Sequence, residues 1–138
     1  MKKILFMVLL GTLTVLGGTH SLQAQSNGKT KKDMIKISIL YPNAEGKTFN
    51  MDYYKNNHMP MLAGLYGSAL KKMEIDKGLS GRTPEEQIPF LAIGHLYFES
   101  FAAYQKAFAP HAQKIRGDIP NYTNIKPIVQ ISKVINSN

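Results

Sequence analysis

The chain predicts an α+β fold: one antiparallel four-stranded sheet with two helices on one face, in the order strand, helix, strand, strand, helix, strand. Three observations carry this expectation. Apolar and polar residues alternate over 34–41, the mark of a half-buried strand. The run 89–98 is apolar on both faces and reads as a central strand. Two segments with helical spacing, each behind a good capping residue, separate and follow the strands. That order is the split βαβ arrangement known as ferredoxin-like.

The first 24 of the 138 residues have the layout of a secretory signal peptide. Lys2 and Lys3 precede a short apolar run over 4–18, and small Ala24 suits the residue before a cleavage. The run is short for a membrane span, which needs about 20 residues. An uncleaved anchor is the alternative; after cleavage no stable membrane insertion is expected. Residues 25–33 are a polar linker, and 34–138 form one domain with a periplasmic or secreted destination. Cysteine is absent, so the fold holds without disulfides and carries no thiolate chemistry.

Within the domain, Ile35, Ile37, Ile39 and Tyr41 face one way on strand one. A Pro-Asn turn follows, and Thr48 or Asn50 can cap helix one. Gly64 and Gly67 bracket its end. Strand two, 69–77, carries Lys71, Lys72, Glu74, Asp76 and Lys77, a density of charge that suits a sheet edge. A Gly-rich loop leads to strand three, where Ala92, Gly94, Leu96 and Phe98 oppose Leu91, Ile93, His95 and Tyr97. Ser100 can cap helix two, whose stripe runs Phe101, Tyr104, Phe108, Ala112, Ile115, with Pro110 dividing it in two. Residues 117–124 read as a loop and 125–135 as the last strand. The sheet face away from the helices still carries apolar residues, so two sheets are expected to pack together in a homodimer.

Helix one holds the most specific pattern. Tyr54 and His58, four residues apart, share a face with Met51 one turn earlier. Pro60 lacks an N–H and crowds the carbonyl of Asn56, so the helix should bend or tighten near His58. His58 titrates near neutrality and is the candidate general acid/base, with Tyr54 as its hydrogen-bonding partner. The structural alternative is that His58 caps carbonyls exposed by the kink. Tyr41, His95, Tyr97 and Met51 are candidate substrate-binding residues, each with a plainer reading as core. Strand alternation alone leaves open whether His95 and Tyr97 lie under the helices, near His58, or in the dimer core.

The formal charge of +8 owes two units to Lys2 and Lys3, and the remaining basic residues are scattered. No Arg-rich helix or basic-aromatic stripe suggests nucleic acid. His58, His95 and His111 lack short ligand spacing, so no metal is expected. No Gly-x-Gly-x-x-Gly or Gly-x-Ser-x-Gly occurs, which leaves no support for a nicotinamide or flavin cofactor or for serine hydrolysis.

The strand ending in Tyr41-Pro42, then Phe49, Asp52-Tyr53-Tyr54 and His58-x-Pro60, resembles the EthD family across 34–135. The resemblance implies a dimeric α/β barrel. Its wider superfamily includes lactone isomerases, polyketide cyclases and dehydratases, and cofactor-free monooxygenases, and EthD-like proteins often carry an oxidoreductase label. A small, largely apolar organic ligand is then expected, with no cofactor and with a second copy of the chain as partner. Two functions are open: cofactor-independent proton transfer, or a non-catalytic binding or accessory dimer.

Overall fold

Alternation over the first strand places Ile37 and Tyr41 in the core, and the computed structural model, which describes residues 34–135, shows both buried. The expected signal peptide (1–24), the linker (25–33) and the last three residues of the domain lie outside the described residues. Strand β1 (Ile35–Pro42) pairs antiparallel with β3 (Phe90–Phe98) and β4 (Ile128–Lys133), while β2 (Leu70–Lys77) pairs with β3. The order β2-β3-β1-β4 is the ferredoxin-like one. Charged β2 takes an edge, and the apolar β1 and β3 take the centre.

Both helices cover the face that carries Ile37, Gly94, Leu96 and Phe98. Tyr66 from the first helix and Tyr104 from the second meet Phe98, with ring centroids 5.4 and 5.3 Å away. Helix α1 spans residues 51–66. The Asn50 side chain accepts from the Tyr53 N–H at 3.0 Å, a cap worth about 1 kcal/mol. The helix ends at Gly67, whose φ of +52° favours glycine. Helix α2 spans residues 101–118, capped by Ser100 and interrupted by a tight turn over Ala109–His111, where Pro110 sits.

Two features depart from the sequence expectation. The bend in α1 takes the form of a π-turn over Tyr54–His58, in which the Met59 N–H reaches the Tyr54 carbonyl five residues back. Pro60 removes the donor that the Asn56 carbonyl would use, and one extra residue in the turn accommodates the loss. The last strand is also shorter than 125–135, because Pro127 cannot donate to the ladder. Ile125 is buried instead, and the preceding segment straps onto the entrance of α1. There the Asn50 N–H donates to the Tyr122 carbonyl at 2.7 Å, and the Thr123 hydroxyl donates to the Thr48 carbonyl at 2.7 Å.

Among the described residues no helix lies over the opposite sheet face. Register places Lys36, Ser38 and Leu40 of β1 beside Tyr97, His95 and Ile93 of β3 there. On strand β4, Ile128, Val129 and Ile131 are exposed, Ile128 on this open face and the other two on the helix side.

Candidate active site

The strap from 117 to 124 decides what His58 does. It brings Asp118 and Tyr122 against α1, and His58 sits between them, 3% exposed. His58 Nδ1 lies 2.7 Å from Asp118 Oδ2, and Nε2 lies 3.4 Å from the Tyr122 hydroxyl. Tyr122 is in turn 2.7 Å from the Tyr41 hydroxyl. The partners of His58 are therefore side chains, and the carbonyl-capping alternative does not hold.

Asp118 is fixed by more than the histidine. Its Oδ1 accepts from the Tyr53 hydroxyl at 2.9 Å and from Asn121 Nδ2 at 2.8 Å. Burial acts to raise the Asp118 carboxyl, but the hydrogen bonds from His58, Asn121 and Tyr53 carry it below the usual carboxylate range. Burial holds His58 below its ordinary value, and the bond to Asp118 only partly opposes that. Near neutral pH the pair is thus a carboxylate and a neutral imidazole, joined by a hydrogen bond rather than an ion pair. An ionised carboxylate only accepts, so the ring proton sits on Nδ1 and the Nε2 lone pair faces Tyr122. Burial also raises the Tyr41 and Tyr122 phenols, which stay protonated. Hydroxyl protons can then run in one direction, from Tyr41 to Tyr122 to His58.

Beside this chain lies a cavity of about 330 Å³ between the helices and the sheet. His58, Tyr41, Tyr122 and Arg116 line it, with a mostly apolar wall that includes Leu62, Leu96 and Phe108. The side chains of the single protomer leave this space open.

Tyr54 is placed differently from its expected role. It is fully buried, and its ring stacks on His58 at 5.5 Å with planes 16° apart, so it supports the imidazole by packing. Its hydroxyl points at Gly94 of β3 and has no hydrogen-bond partner among the described residues. Tyr41 is near enough to influence the ionisation of Tyr54, yet the geometry between them makes no bond, and Tyr41 bonds Tyr122 instead. Met51 packs against the core and does not line the cavity.

His95 and Tyr97 do not reach the cavity either. They lie on the open sheet face, where Ser38 Oγ and Asp76 Oδ2 bond the His95 nitrogens at 3.0 and 3.1 Å. Tyr97 donates to Glu74 at 2.7 Å, and burial with that contact pushes its phenol up to about 12. The correction follows from the pleat: Ala92, Gly94 and Leu96 take the helix side, so their neighbours must take the other. Asp118, Tyr122 and Asn121 carry no signal in the sequence that marks them as site residues, and Tyr53, which its helix position assigns to packing, instead donates to Asp118. Among the described residues no cluster of His, Cys, Asp or Glu is arranged to hold a metal ion.

The depressed His58 value has a consequence for stability. Between the folded value and about 6.5 the unfolded chain binds more protons, so stability rises with pH through that window. The contribution is complete above about 6.5 and is lost as pH falls toward the folded value. Urea midpoints measured from pH 7.5 to 5 should fall for the wild type, and His58→Asn should flatten that part of the profile. An unchanged slope in the variant would assign the titration elsewhere.

A family profile described as EthD domain matches residues 46–126. The crystal structure of an EthD-like protein from Ralstonia eutropha is similar at 36% identity with a TM-score of 0.73, over 78% of this chain and 96% of that one. An ethyl tert-butyl ether d (EthD) family protein from Bacillus halodurans is similar at 18% identity and a TM-score of 0.49, over 72% of this chain and 97% of that one. A DABB family protein with a ferredoxin-like fold from Mesorhizobium loti matches at 13% identity and a TM-score of 0.45, over 73% and 96%. No curated protein matches the chain.

Proposed function

The chain belongs to the EthD family, and from that premise we propose that it is an exported homodimer that binds a small, largely apolar organic molecule and transforms it by cofactor-independent proton transfer. The observation that supports the chemistry is the polarity of His58. Asp118 holds Nδ1 at 2.7 Å, which leaves Nε2 as the basic atom on the cavity side. Nε2 takes a proton from an activated carbon or hydroxyl of the ligand, and Asp118 stabilises the imidazolium that forms. When the ligand binds, the Tyr122 hydroxyl, still accepting from Tyr41, turns its one proton from the 3.4 Å contact with Nε2 to the ligand oxygen where negative charge develops, which frees Nε2 to act as the base. Return of the proton to a second carbon completes an isomerisation, and its transfer to a departing hydroxyl completes a dehydration. Export is supported by the leader-like residues 1–24. The dimer is supported by the helix-free sheet face, with Leu40, Ile93 and exposed Ile128 on it.

The test compares wild type with His58→Ala on a panel of lactones and phenolics. Turnover by the wild type should fall by about 10²–10⁴ in the variant while binding persists. Equal turnover with binding intact removes His58 from catalysis, and saturable binding with no turnover in either protein leaves a binding module.

A further inference from the structure

We infer that the cavity takes an apolar acid, with Arg116 at its wall receiving the anionic group; this rests on the cavity being the ligand site proposed above. Of the residues lining the cavity, Arg116 alone carries a permanent charge, and none is Asp or Glu. The guanidinium lies over the Phe108 ring, 5.5 Å from its centroid. That contact steadies the planar group against the apolar wall and leaves its N–H edge free to bond a ligand.

No carboxylate of the described residues forms an ion pair with Arg116. Asp118 is two positions away, but it commits Oδ2 to His58 and Oδ1 to Tyr53 and Asn121. The ion pairs of Lys71, Lys72 and His95 lie on or beside the sheet edge. A cation on a mostly apolar, acid-free wall disfavours a positively charged guest and rewards a carboxylate, whose two oxygens match the guanidinium fork. The same wall then arranges the guest: its anion at Arg116, its apolar body against Leu62, Leu96 and Phe108, and a further polar atom toward Tyr122 and His58. The predicted ligand class is a small hydrophobic carboxylic acid, or another monoanion of that shape.

Calorimetric titration with two probes of one shape, 2-naphthoate and the neutral 2-naphthalenemethanol, tests this. The purified protein should bind the acid at least about ten-fold more tightly than the alcohol, with the preference shrinking as salt is raised. Arg116 is exposed, so Arg116→Gln should fold and erase the preference by weakening the acid alone. Arg116→Lys should retain part of it. Equal affinities in the wild type, or a preference that survives in Arg116→Gln, overturns the assignment. His58→Gln separates this inference from the proposed chemistry: there the carboxylate preference should persist even though turnover is lost. A preference lost in His58→Gln and kept in Arg116→Gln places the anion on the histidine instead. Failure of both probes to bind rejects the cavity as the ligand site along with the anion assignment.

Discussion

Gly94→Ala should destabilise the fold by about 1–3 kcal/mol, and Tyr54→Phe in the same chain should restore most of that loss. A Cβ at Gly94 would press directly on the Tyr54 hydroxyl. Tyr54 cannot retreat, because Phe49, Tyr122, Tyr41 and His58 surround its ring with centroids 5.0, 5.1, 5.5 and 5.5 Å away. Removing the hydroxyl changes the contact. The nearest atoms to the new Cβ become Tyr54 Cζ and Met59 Cε, both at 3.5 Å, which is ordinary packing. Tyr54→Phe alone should be neutral within about 1 kcal/mol, since the hydroxyl it deletes bonds nothing. A double-mutant cycle from urea denaturation measures the coupling, expected at about 1 kcal/mol or more. Additive single effects would mean that the two residues do not meet as described.

Asp118→Asn is expected to lower turnover by about 10²–10⁴ while changing binding little, and the reason is a proton count. The Asp118 side chain accepts from three donors: Tyr53 and Asn121 at Oδ1, His58 at Oδ2. An amide offers one oxygen. Facing it toward Tyr53 and Asn121 satisfies two donors and turns its NH₂ toward His58 Nδ1, which must then accept. The imidazole proton moves to Nε2, and the basic lone pair leaves the cavity side. Imidazole ¹⁵N shifts should show the exchange of tautomers directly. A variant that keeps the proton on Nδ1, or keeps full turnover, contradicts the role given to Asp118.

Most of the fold was legible because it is written in short-range patterns. Alternation in 34–41, apolar faces on 90–98, caps at Asn50 and Ser100, and the charges of β2 each specify an element from its own residues. The end of the strap was not legible. Gly117 to Asn124 has the composition of a loop, and nothing periodic marks Asp118 or Tyr122, which stand 60 and 64 positions from their histidine. The relation of Tyr54 to His58 was half legible: spacing put them on one face, but packing made them stack instead of bond. The side of His95 had a readable signal that alternation alone did not use. Ala92 and Gly94 are small, and small residues on one face of a central strand make room for bulky ones such as Tyr54 above it.

The π-turn makes the site depend on a count as well as on identities. A regular helix through the same amino acids, one residue shorter, would carry every residue before the deletion round by about 100° relative to those after it. Asp118 would still be fixed by the strap, and Pro60 would still sit in the helix, but Tyr53 and Tyr54 could no longer face Asp118 and Gly94 together with His58 in place. The register of five residues, Tyr54–His58, acts as a spacer whose length is set by backbone geometry. For this helix, insertions and deletions therefore carry more functional weight than most substitutions, and residue-by-residue similarity alone understates that dependence.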